Sequence, residues 1–138
     1  MAKLPEDVLE ALVDPAAVKV LATVDEKGNI SVVPAGSVTV LDEETLAFAD
    51  IFLGVAKDNL EATRRVAVAI YKRPVEGWQI KGAFLQWHTS GSVYDVMSAK
   101  IGEIMKTTGS RPEIKAVGTI RVTEVYGLSL PIAGRRLA

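Results

Sequence analysis

A mostly β chain, folding as a six-stranded antiparallel split barrel with short helices, is predicted by three features of the sequence. Short β-branched apolar runs recur from Val18 to Tyr126. Polar turns carrying acidic residues or glycine separate most of them. Helical composition is confined to stretches near 5–12, 55–63 and 90–106. Neighbouring strands joined by tight turns pair antiparallel, and closing such a sheet removes its exposed edges. The 138 residues, 49% of them apolar and 24% charged, suit a single domain over 1–138 with its own core.

The elements follow in chain order. Pro5 fits a first helical turn, where its missing N–H is no loss, and Glu6 and Asp7 suit the positive end of the helix dipole. Val8, Leu9 and Leu12 form an apolar stripe, and Asp14-Pro15 ends the helix. Val18 to Val24 and Ile30 to Val33 make a hairpin across the turn Asp25-Glu26-Lys27-Gly28-Asn29. Pro34 and Gly36 interrupt its second strand, which marks an edge or a bulge. A second hairpin joins Val38–Leu41 to Thr45–Ala49. A short helix over Val55–Thr63 precedes the strand Val66–Lys72; a loop at Arg73–Gly77 leads into the long strand Trp78–Thr89. Ser90-Gly91-Ser92 starts a helix running to about Lys106, with Val93, Met97, Ile101 and Ile104 on one side. A loop over 107–112 and a final strand Lys115–Tyr126 follow, and Pro131–Ala138 reads as a mobile tail or a partner contact.

Composition excludes much chemistry. The absence of cysteine removes disulfides, thiolate metal sites, iron–sulfur clusters and cysteine nucleophiles, and one histidine is too few for a histidine metal site. Sixteen basic against seventeen acidic residues argue against a general nucleic-acid binder. The balance is uneven along the chain, however. Residues 1–60 hold four basic and eleven acidic groups (−7), and residues 61–138 hold twelve and six (+6). Neither a signal peptide nor an apolar run of membrane-spanning length occurs, so a cytoplasmic protein without membrane contact is expected. There is no phosphate-binding glycine loop of dinucleotide or nucleoside-triphosphate type. His88, in Gln86-Trp87-His88-Thr89, has no serine in a nucleophile turn to serve and reads as a strand residue. Trp78 and Trp87 suit core or dimer-interface packing better than base stacking, because aromatic and basic residues do not interleave.

Several short motifs in fixed order carry a family resemblance. Leu21-Ala22-Thr23-Val24, the acidic turn with Gly28, and Ile30-Ser31-Val32-Val33-Pro34 form the first; Leu46-Ala47-Phe48-Ala49-Asp50 is the second. Asn59-Leu60 followed by Arg64-Arg65-Val66-Ala67-Val68-Ala69 is the third, and Gln79-Ile80-Lys81-Gly82 the fourth. Together, over roughly residues 5–126, they resemble the pyridoxamine 5′-phosphate oxidase-like family of FMN-binding split barrels. The resemblance implies FMN as cofactor, held at a homodimer interface, with a small-molecule substrate or electron donor. It points to Val33, Pro34, Ala35, Ala49, Asp50, Val55, Ala56, Lys57, Asn59 and Lys81 as cofactor-binding residues. Many members carry Lys-Thr just before the Asn-Leu pair, both serving the FMN phosphate. This chain departs there, with Val55-Ala56 and then Lys57 one position later.

Flavin has physical demands that these segments address. The ring needs a flat slot with apolar walls, and the phosphate needs cations or a helix N-terminus. Val33-Pro34-Ala35-Gly36 lets a ring lie against backbone, while the helix starting near Val55 directs N–H groups outward, with Lys57, Arg64 or Lys81 adding charge. The first expectation is therefore a homodimeric flavin-dependent oxidoreductase with no identifiable acid–base residue. The alternative is a non-enzymatic flavin or haem binder on the same scaffold, with His88 as an axial ligand.

Overall fold

The computed structural model describes residues 2–51, 53–106, 109 and 113–138. In chain order the elements are α1 (Glu6–Val13), β1 (Val18–Val24), β2 (Ile30–Pro34), β3 (Thr39–Asp42) and β4 (Thr45–Ala49). They continue with α2 (Val55–Thr63), β5 (Arg65–Lys72), β6 (Glu76–His88), α3 (Gly91–Lys106) and β7 (Val117–Gly127). All strand pairs are antiparallel, in the order β2-β1-β5-β6-β7-β4-β3. The split-barrel fold predicted from the sequence is present, with seven strands in place of the six expected. The loop expected over 107–112 lies, apart from Gly109, outside the described residues.

Period-two alternation decides which residues fill the barrel. Leu21 and Thr23 of β1, Val66, Val68 and Ile70 of β5, and Trp78 and Ile80 of β6 point inward and are buried. All of these but Thr23 meet Phe48, Phe84, Ile120, Val122 and Val125 in one core cluster. Val8 and Leu12 of α1 and Ala56 and Leu60 of α2 are buried in that same cluster, so both helices dock through apolar stripes. A second cluster lies on the opposite face of β4 and β7. There Met97 and Ile101 of α3 cover Ala47, Ala49 and Val117.

No ladder joins β2 to β3 among the described residues. The seam is held instead by Lys19 of β1. Its backbone carbonyl accepts from Ala35 N at 2.9 Å, and its Nζ donates to Val38 O at 2.6 Å and Leu12 O at 3.2 Å. One buried side chain thereby ties α1, β1 and the entry to β3 together. Burial depresses the Lys19 ammonium pKa to about 8.

The C-terminal residues are bound back onto the sheet. Leu137 N donates to Val125 O at 2.7 Å, Gly134 N to Gly127 O at 2.8 Å, and Gly127 N to Arg135 O at 3.0 Å. The tail reading of Pro131–Ala138 is thus corrected: backbone pairing with β7 outweighs the polar composition that suggested mobility.

Candidate functional site

The two halves of the sheet differ on their outer faces. Over β4 and β7, α3 supplies a cover. Over β2 and β1 the outward residues are also apolar, as are Ala67 and Ala69 of β5, yet no helix of the described chain lies on them. Val18, Ile30 and Val32 are 63%, 75% and 61% exposed. Val32 stands opposite Ala22, and Ala22 stands opposite Ala67 on the next strand, so small and β-branched side chains form a continuous strip.

A groove of about 600 Å³ runs beside this strip, across β2, β1, β5, β6 and β7. That volume suits a cofactor-sized ligand. Its floor includes Ala22 and Ala67, whose direct pairing leaves a flat apolar surface with no side chain beyond Cβ. Val24 and Ile30 line one side. Gln79, Lys81 and Arg65 line the other, with Lys81 paired opposite Ala67.

The groove carries one carboxylate, Glu124, and its charge is already engaged. Tyr126 Oη donates to Glu124 Oε1 at 2.7 Å, and the Arg136 guanidinium stands 3.7 Å from the same oxygen. The tyrosine bond, then the charges of Arg136 and Lys81, hold this carboxyl below its ordinary range. Lys81 Nζ rests over the Tyr126 ring at 5.1 Å. Neither Arg65 nor Lys81 forms an ion pair among the described residues.

The start of α2 is organised differently. Lys57 Nζ donates to Asp50 Oδ2 at 2.7 Å, and the same ammonium lies 5.4 Å from the Trp87 ring centroid. Trp87 Nε1 in turn donates to Glu61 Oε1 at 3.1 Å. The Asp50 bond, followed by the charges of Glu61 and Asp58, raises the Lys57 pKa. One carboxylate thus holds this cation, and two more add negative charge to its surroundings. Arg64, held at φ 60°, directs its guanidinium to the carbonyls of Phe84 and Leu85 at 3.1 and 2.7 Å.

The ten residues marked out by the resemblance do not converge on one surface. Ala49 is buried beneath α3, and Ala56 is fully buried in the main core. Asn59 is 6% exposed, and its Nδ2 donates to Thr23 Oγ1 at 3.1 Å. Asp50 and Lys57 are joined to each other, with exposed Val55 alongside. Val33 packs on the core, while Ala35 is buried at the seam and Pro34 is exposed opposite Val20. Only Lys81 reaches the groove.

Arg65 and the Ala22–Ala67 floor of the groove were not among the residues expected from the sequence. Alternation along β5 was the available signal. Val66, Val68 and Ile70 point inward, so Arg65 and Ala67 point outward, whereas Arg64 belongs to the helix cap.

Asn59 has a structural part that can be measured apart from ligand binding. Asn59→Ala leaves the buried Thr23 hydroxyl without this donor. It is expected to cost about 1–3 kcal/mol of stability in chemical denaturation of the ligand-free protein. An unchanged denaturation midpoint would show that the bond contributes nothing.

The family model for pyridoxamine 5′-phosphate oxidase matches residues 5–129. No curated protein matches the chain. Among solved structures, HupZ of Group A Streptococcus is similar at 21% identity and a TM-score of 0.76, covering 95% of this chain and 98% of its own. An FMN-binding protein from Syntrophomonas wolfei is similar at 14% identity and a TM-score of 0.69, with 88% and 82% covered. A FAD-binding protein from Mesorhizobium loti is similar at 15% identity and a TM-score of 0.64, with 91% and 95% covered. These likenesses agree with the fold. With its family model matched from the first helix through the last strand, the chain belongs to the pyridoxamine 5′-phosphate oxidase family.

Proposed function

We propose that the protein binds a flavin-type cofactor in the groove over Ala22 and Ala67 and works as a homodimeric oxidoreductase on a small-molecule substrate. The observation that carries this reading is the flat alanine floor between an apolar wall and a cationic one. A planar ring system with an anionic tail matches that arrangement in shape and charge. Family membership supports it, as do the FMN- and FAD-binding proteins of similar fold.

Within the groove, Ala22 and Ala67 would lie against the ring face and Gln79 would meet its polar edge. Val24 and Ile30 would exclude water from one side. A bound flavin supplies one- or two-electron transfer, and the chain orients it and limits access. The uncovered strip through Val18, Ile30 and Val32 supports a second copy of this chain as the cover. The apolar area left there is of the kind that protein association buries.

Purified protein is expected to take up FMN or FAD, seen as a shifted and quenched flavin spectrum, and to run as a dimer by light scattering. Val32→Glu is expected to give a folded monomer with weakened flavin uptake. No spectral change at excess FMN and FAD would overturn cofactor binding, and a monomeric wild type would overturn the dimer. Anaerobic mixing with NADH or NADPH tests the chemistry: bleaching of the bound flavin supports an oxidoreductase, and an inert spectrum with both donors and a chemical reductant counts against it.

A further inference from the structure

We infer that this chain binds the anionic group of its ligand with Arg65 and Lys81, across the groove, and not at the start of α2. The assignment deepens the flavin reading and rests on it for the identity of the ring, but not for the anion site.

The charges on the two surfaces differ in kind. At α2, the single nearby ammonium is held by Asp50 at 2.7 Å, with Glu61 and Asp58 adding negative charge around it. A phosphate arriving there must displace Asp50 from Lys57 and then meet the negative charge of Asp50, Glu61 and Asp58. The N–H groups of the helix start do not change that balance, because Asp58 already occupies its first turn. Arg64, the other cation of this region, is engaged by two backbone carbonyls.

At the groove the arrangement is reversed. Arg65 and Lys81 bring two positive charges, and neither is matched by an ion pair among the described residues. The lone carboxylate, Glu124, stands cross-strand from Lys81 and its charge acts on that ammonium, but it also accepts from Tyr126 and faces Arg136, so three cations meet one anion there. The Tyr126 ring beneath Lys81 supports the ammonium without neutralising it. Both cations border Ala67, Lys81 as its cross-strand partner and Arg65 two residues before it on β5, so an anion held by them would be tethered to whatever plane rests on Ala22 and Ala67. Guanidinium and ammonium contacts to phosphate are among the stronger hydrogen bonds available to a protein.

The test compares FMN with riboflavin, which has the same ring and no phosphate. Wild type is expected to prefer FMN. The double variant Arg65→Gln/Lys81→Gln is expected to lose about tenfold or more in FMN affinity while riboflavin affinity stays within about twofold. Lys57→Gln is expected to leave the FMN preference intact. Both sets of side chains are at the surface, and circular dichroism verifies that each variant is folded.

Loss of the FMN preference in Lys57→Gln, with the double variant unaffected, overturns the assignment. A second readout is independent of flavin: titration with inorganic pyrophosphate followed by amide chemical shifts. Shifts centred on residues 65, 67 and 81 support the site even if no flavin binds, in which case only the flavin reading fails. Shifts centred on 54–58, or no shifts at millimolar pyrophosphate, overturn it.

Discussion

Gly82→Ala is expected to lower stability by about 3 kcal/mol, seen as a fall of about 10 °C in Tm for a chain of this size. A Cβ at position 82 would stand 2.5 Å from the Arg121 carbonyl oxygen and 2.6 Å from Ile120 Cγ2. The first of these is backbone in the partner strand, so relief requires β6 and β7 to separate locally. That pair carries a register shift at Lys81/Gly82, where the bulge brings the two backbones close. Gly36→Ala is the matched control. A Cβ there meets nothing within 4 Å and the position is exposed, so its Tm should stay within about 2 °C of wild type. Equal Tm values for the two variants would show that the close approach at Gly82 relaxes freely.

Much of the fold was legible because its elements announce themselves locally. α2 occupies Val55–Thr63 as its composition predicts, and the first hairpin turns at Asp25–Asn29, where Asp25 Oδ1 accepts from the backbone N–H of Lys27 and Asn29. The strand ends moved by a residue or two. β5 starts at Arg65 and β6 at Glu76, positions where polar side chains face outward and leave no apolar signal. All seven strands correspond to apolar runs read from the sequence; β3, only four residues long, is the first arm of the second hairpin and pairs with β4 through Thr39, Val40 and Asp42 across a register shift.

The site was less legible, for a physical reason. Sequence motifs place residues along one element, whereas the groove is built from positions on five strands whose register is set by long-range pairing. Asn59 and Ala56 sit in a motif associated with cofactor binding, yet both side chains are turned into the interior. Lys57 reads as a free cation until Asp50, seven residues earlier, is seen to hold it.

The apolar runs themselves contain a finer distinction. Leu46-Ala47-Phe48-Ala49 is apolar on both faces because the barrel core takes one and α3 the other. Val18 to Val24 is apolar on its outer face through Val18, Val20, Ala22 and Val24, while its inner face sets Leu21 between Lys19 and Thr23. An apolar strand face signals cover. For β4 the cover is intramolecular, while for the outer face of β1 it falls to the ligand and the second copy proposed above.

The other large expected effect concerns the seam. Lys19 has its ammonium pKa depressed to about 8 in the folded protein, from 10.5 for a free side chain, and burial is the cause. Between those values the unfolded chain binds the proton more tightly than the folded one, so stability rises with pH across this window. Below pH 8 the full cost of burying the charge is present. Above 10.5 the neutral amine carries no such cost and still donates hydrogen bonds. The difference between the two limits is about 3 kcal/mol. Other groups titrate here in the opposite sense: Lys57 and Lys72 have raised pKa values through Asp50 and Asp14. Subtracting the curve of Lys19→Met removes their contribution. The wild-type stability minus that of Lys19→Met is therefore expected to grow by about 3 kcal/mol between pH 7 and 10.5, measured by urea unfolding at fixed salt. The methionine variant also leaves the carbonyls of Leu12 and Val38 without this donor, a loss that does not vary with pH and shifts the whole difference curve by a constant. A flat difference curve would mean that the seam lysine keeps its ordinary affinity for the proton. A falling one would mean that the two carbonyls stabilise the ammonium more than burial penalises it.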